Sequence, residues 1–152
     1  MAGEDRLVYE MPRTKIITKS PTETEAIGSE LAEKLSPGES VLLFGELGAG
    51  KTTFTRGICN ALGVELVKSP SFVIVNVYNG KIPIYHIDLY RIKEIEPIII
   101  GEIQEYLWDK DAISIVEWAE RLPQELIPAR TFAVEIEYIS ENEREIKIEN
   151  VK

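Results

Sequence analysis

Apolar and polar positions along the chain switch between a strand rhythm and a helix rhythm. Lys15-Ile16-Ile17-Thr18 reads as a short strand. Ser20-Pro21-Thr22-Glu23 reads as a helix start, with a Ser/Glu capping box and proline at the first helical position. Ile27, Leu31 and Leu35 recur at spacing four on one face before Pro37-Gly38 closes that helix. Val41-Leu42-Leu43-Phe44 is continuously apolar, as in a strand covered on both faces. A glycine-rich turn then leads into a helix over about 51–62, closed by Gly63. Residues 72–78 and 82–87 read as strands joined by an Asn79-Gly80 hairpin turn. A helix over roughly 98–108 and a strand over 112–116 follow, ending in Glu117-Trp118. Residues 131–138 and 144–148 alternate apolar and polar positions and predict a closing strand pair. This order of elements implies a three-layer α/β domain with a mixed central sheet.

Composition bounds the picture. The 152 residues, 44% hydrophobic and 28% charged, are the material of one globular domain. Residues 1–13 lack periodicity and are expected to form a flexible N-terminal arm, with 14–152 as the single domain. One cysteine, Cys59, and one histidine, His86, exclude an intrachain disulfide and a His-rich metal site, and favour a reducing, cytoplasmic setting. The start of the chain is too acidic for a signal peptide, and no apolar run approaches the ~18 residues of a membrane span. A net charge of −9 predicts repulsion from bare nucleic acid.

The candidate chemistry begins at Gly45-Glu46-Leu47-Gly48-Ala49-Gly50-Lys51-Thr52, a full match to G-x-x-x-x-G-K-[ST]. Its glycines let backbone N–H groups curl around a phosphate, and the loop ends on a helix N-terminus that favours an anion. Lys51 is placed to reach the β- and γ-phosphates, and the Thr52 hydroxyl to ligate Mg²⁺. The setting, an apolar strand before and a helix after, is that of a P-loop NTPase-like domain with a largely parallel sheet. Such a site also needs acids at neighbouring strand ends, to hold Mg²⁺ and orient water. Asp88 follows the strand 82–87, and Glu117 follows Ile113-Ser114-Ile115-Val116. The chain has no Asn-Lys-x-Asp loop and no Asp-x-x-Gly switch, which favours ATP over GTP. Its arginines are scattered, which makes a kinase lid the weaker reading. His86 reads either as a hydrogen-bonded core residue or as a group near the site. Trp118 reads as packing at a strand end or as a ligand contact.

Together with the loop, Ser69-Pro70-Ser71-Phe72, Asn76-Val77-Tyr78, His86-Ile87-Asp88-Leu89-Tyr90-Arg91 and Val116-Glu117-Trp118 follow in order. This pattern resembles the TsaE (YjeE/YdiB) family over about residues 15–150. The resemblance implies a bacterial P-loop ATPase required for N6-threonylcarbamoyladenosine at tRNA position 37, acting with TsaD and TsaB and meeting tRNA only through them. It implies ATP contacts along residues 45–52, with Thr53, Pro21 and Arg144 beside the nucleotide. Lys51, Asp88 and Glu117 become the catalytic set, Thr52, Glu117 and Asp88 the Mg²⁺ set, and Ser69, Pro70 and Ser71 a switch-like segment. In one departure, Glu102 takes a place where the family usually has glycine, with Gly101 one position earlier. The competing class is a nucleotide-gated interaction switch with little hydrolysis of its own.

Overall fold

Val41, Leu42 and Leu43 are shut from solvent because their strand, β2 (Ser40–Phe44), runs through the middle of the sheet. The structure, a computed structural model, describes residues 14–46, 48–64, 75–92 and 96–150. The arm 1–13, Leu47 and the Ser69–Ser71 segment lie outside the described residues.

In chain order the described elements are β1 (Thr14–Thr18), α1 (Pro21–Ala32), β2, α2 (Lys51–Ala61), β3 (Val75–Asn79) and β4 (Pro83–Asp88). Next come α3 (Pro97–Leu107), β5 (Ile113–Glu117), two short 3₁₀ turns (Ala119–Arg121 and Gln124–Leu126), β6 (Thr131–Tyr138) and β7 (Arg144–Asn150). Among the described residues, seven strands form one sheet in the order β1-β7-β6-β2-β5-β4-β3. The inner strands β6, β2, β5 and β4 are parallel, while β3 and the β1–β7 pair add antiparallel flanks. The expected mixed, largely parallel α/β architecture is therefore present.

The alternating faces of β2 and β5 sort the core into two layers. Val41, Leu43, Ile113 and Ile115 pack with Ile84, Phe54 and Ile58 on the side of α1 and α2. Leu42, Val116 and Ile87 face α3 and the 3₁₀ turns. Helix α1 starts as the capping box predicts: Glu23 N–H donates to Ser20 Oγ (3.1 Å), and Glu23 Oε1 accepts from Lys19 N–H (2.7 Å). It ends at Ala32, earlier than the Pro37-Gly38 stop, and Leu35 is buried from the turn that follows. The β3–β4 hairpin also differs from a two-residue Asn-Gly turn. Asn79 pairs with Pro83, leaving a three-residue loop, because proline at 83 starts the return strand one residue late. Cys59 is buried in α2, and burial pushes its thiol up to about 12, so it behaves as a small apolar residue.

Candidate functional site

The 45–52 loop joins β2 to α2, and local sterics dictate its residue types. Gly50 caps α2 at φ +110°, in the left-handed region. A Cβ on Gly45 would stand 2.5 Å from the Ile136 carbonyl oxygen of β6. Phe54 N–H donates to the Gly50 carbonyl (3.0 Å), closing the first turn of α2, whose N-terminus is the positive end of the helix.

Lys51 is buried, and its Nζ donates to the carbonyls of Gly45 and Glu46 (3.4 Å to the latter). The same ammonium lies 4.0 Å from the centroid of the Trp118 ring. Desolvation lowers the Lys51 pKa, opposed by the charges of Glu117, Glu120, Asp88 and Glu46.

Parallel pairing brings the two strand-end acids to this loop. Asp88 of β4 pairs in register with Glu117 of β5, and Glu117 pairs with Leu43, two residues before Gly45. Burial raises the Asp88 pKa, partly offset by the hydrogen bond from Tyr90 N–H to Oδ1 (2.9 Å), with Glu117 adding a further raising charge. Glu117 is buried, and its Oε2 lies 2.6 Å from His86 Nε2. His86 is fully buried, and its Nδ1 lies 3.1 Å from the Tyr78 hydroxyl. His86 is thus a bonded core residue whose partner is one of the two candidate site carboxylates.

Trp118 follows Glu117 with φ +57°, unusual for an aromatic residue. Its ring covers Lys51 and packs 5.0 Å from the Tyr90 ring. Arg121, which sequence reasoning missed, donates to the carbonyls of Leu89 (3.3 Å), Tyr90 and Ile92 (3.1 Å) and lies 5.4 Å from the Trp118 ring. No sequence pattern marked it, because its acceptors are backbone atoms about 30 residues away in the chain.

Arg144 reaches the loop from β7. Its Nε donates to Ala49 C=O (2.8 Å), and its Nη1 to the carbonyls of Ser140 (2.7 Å) and Glu143 (2.9 Å). Pro21, Thr24, Gly50, Thr53 and Arg144 line a small cavity beside the loop, closed by Glu141 and Asn142. Its volume is about 40 Å³. The structure thus brings Pro21, Thr53 and Arg144 together against the loop and commits Arg144 to backbone carbonyls. Thr52 lies in the first turn of α2.

The donor set suits Mg²⁺ held with phosphates better than a metal caged by protein alone. Among the described residues no three His, Cys, Asp or Glu side chains cluster as metal ligands. A hydroxyl and one or two carboxylates beside a phosphate loop are the hard oxygen donors that Mg²⁺ takes when the substrate supplies the rest.

With this geometry in place, comparison with known proteins gives a consistent answer. A family model described as threonylcarbamoyl adenosine biosynthesis protein TsaE matches residues 18–146. The chain belongs to the TsaE family. It is 40% identical over 138 residues to the tRNA threonylcarbamoyladenosine biosynthesis protein TsaE of Bacillus subtilis, covering 90% of this chain and 85% of the relative. The Treponema pallidum protein of the same name is 32% identical over 135 residues, 88% of this chain and 98% of that one. The crystal structure of Bacillus subtilis YdiB superposes with a TM-score of 0.75 at 35% identity, covering 92% of this chain and 86% of that one. Within the TsaE pattern, the Glu102 departure is structurally mild. Glu102 is exposed on a regular α3, and a Cβ on Gly101 would meet nothing within 4 Å.

Proposed function

We propose that this chain is an Mg²⁺-dependent ATPase of the cytoplasm, whose turnover serves N6-threonylcarbamoyladenosine formation at tRNA adenosine 37 together with TsaD and TsaB. One observation carries the reading: Asp88 and Glu117 end adjacent parallel strands in register, beside a Lys51 loop built for phosphate. Membership of the TsaE family supports the pathway.

Lys51 exchanges loop carbonyls for β/γ-phosphate oxygens, gaining a charge-assisted partner at a buried position. Loop amides and the α2 N-terminus hold the remaining phosphate charge. Thr52 and Glu117, with Asp88, would hold Mg²⁺, which when bound neutralises charge developing on the phosphates. Asp88, at the end of β4 beside the loop, orients the attacking water.

A second reading, a nucleotide-gated interaction switch with little turnover alone, is favoured by the arginines. Arg121 and Arg144 are both tied to backbone carbonyls, so neither is offered to a transferring phosphoryl group in cis. ATP hydrolysis and tRNA modification measured with and without TsaB and TsaD separate the two. The ATPase reading predicts turnover that the partners stimulate and that Lys51→Ala abolishes. Full modification by a hydrolysis-dead variant would favour the switch.

A further inference from the structure

The chain of side chains behind Glu117, buried at His86 and half-buried at Tyr78, has no part in the chemistry described so far. His86 sits on β4 between Asn76 of β3 and Ile115 of β5, and its side chain shares the sheet face of Ile84, Ile113 and Ile115. A fully buried imidazole needs two partners, and apolar neighbours supply none. It finds one on each side: the Tyr78 hydroxyl at 3.1 Å and Glu117 Oε2 at 2.6 Å. An ionised carboxylate only accepts, so Nε2 carries the proton and donates to Glu117. Nδ1 meets the Tyr78 hydroxyl, a group that can donate or accept as the ring requires.

We infer that His86 is the positioning residue for Glu117, and that Tyr78 fixes His86 in turn, so that a Tyr78–His86–Glu117 chain sets how this site holds its divalent cation. The inference rests on the nucleotide reading above and names the side chains that aim one of its ligands. Glu117 is buried with Oε2 committed to His86, so its coordinating capacity is restricted to the lone pairs that this bond leaves. A glutamate with three free torsions is thereby held in one orientation, and the ordering cost is met during folding rather than at binding. The chain also has a direction. Tyr78 belongs to β3, the strand that follows Ser69-Pro70-Ser71 in sequence, so a change in β3 would reach the cation ligand through two hydrogen bonds.

The test is the affinity of Mn²⁺ for the ATP complex, read by electron paramagnetic resonance, alongside ATP affinity in EDTA and thermal unfolding. His86→Asn places its amide near Nδ1 and cannot reach Glu117, whereas His86→Gln extends an N–H toward the Nε2 position. We expect His86→Asn to weaken Mn²⁺ binding by about 10–100-fold with metal-free ATP affinity unchanged, and His86→Gln to recover most of the loss. Tyr78→Phe should give a smaller loss of the same kind. Equal loss in the Asn and Gln variants, or unchanged Mn²⁺ affinity in His86→Asn, would overturn the inference. Should His86→Asn not fold, Tyr78→Phe decides: a selective Mn²⁺ loss supports the chain, and wild-type affinity refutes it. A wild-type protein that binds ATP no better with Mn²⁺ than in EDTA would instead bring down the nucleotide reading itself, and this inference with it.

Discussion

At the scale of single residues, Trp118 shows what the site demands. An aromatic residue with φ +57° is disfavoured, and it persists where its ring covers the Lys51 ammonium and stacks near Tyr90 and Arg121. The loop residues were legible because a glycine-rich turn closing on Lys-Thr needs particular residue types at a fixed local spacing. Asp88 and Glu117 were legible as strand-end acids. The His86–Glu117 contact was not, because 31 residues separate the pair and only the adjacency of β4 and β5 joins them. If Glu117 serves the cation and Asp88 the water, their variants should differ. Glu117→Gln should lower Mg²⁺-dependent ATP affinity about tenfold. Asp88→Asn should leave ATP bound while slowing hydrolysis about a hundredfold. Calorimetry and single-turnover rates check both, and the opposite pattern would exchange the roles. A second pair predicts a pH signature. Tyr85 donates to Asp109 Oδ2 at 2.6 Å, which holds the Asp109 carboxyl below its usual range and pushes the Tyr85 hydroxyl up to about 12. The bond stabilises the fold above the unfolded aspartate value and fails as pH drops through the lowered folded one. At the other end it persists to the unfolded tyrosine value of about 10 and is lost as pH rises toward 12. Tyr85→Phe should therefore cost about 1 kcal/mol between roughly pH 4 and 10, and less outside that window, by urea unfolding.

Among elements, α1 and α2 approach closely. A Cβ on Gly57 would stand 2.0 Å from the Glu25 carbonyl oxygen, and one on Gly28 2.3 Å from that of Phe54. Ser29 Oγ donates to Gly57 C=O across the same seam (2.9 Å). Small residues here let the helix that carries Lys51 lie against α1, whose Pro21 and Thr24 border the loop. Gly57→Ala should force the helices apart and destabilise the protein by about 1–3 kcal/mol, measured by chemical denaturation; an unchanged midpoint would contradict this packing. Helix starts and the buried β2 run were legible, since caps and apolar runs are local signals. The sheet order was not. Nothing in the pattern of 131–148 says that β6 lies parallel beside β2 while β7 turns back to β1, because that depends on which edges remain to be covered. The hairpin itself was legible, since Asn79-Gly80 signals a turn, whereas pairing resumes at Pro83 rather than Ile82.

For the whole molecule, a net charge of −9 disfavours direct contact with nucleic acid. Bare tRNA should bind the purified chain weakly at 50 mM salt and hardly at all at 200 mM, with association appearing when TsaB and TsaD are added. Tight, steeply salt-dependent binding by the chain alone would contradict a partner-mediated role. No described helix is long and apolar enough to cross a membrane. The two-layer core instead holds the loop ends of β2, β4 and β5 in one place, and the proposed chemistry depends on that placement. The most direct test is a calorimetric titration of ATP into wild-type protein and Lys51→Ala, each in Mg²⁺ and in EDTA. The account predicts ATP binding by the wild type that Mg²⁺ strengthens, and none by Lys51→Ala. Equal binding by Lys51→Ala, or no binding by the wild type, would contradict it.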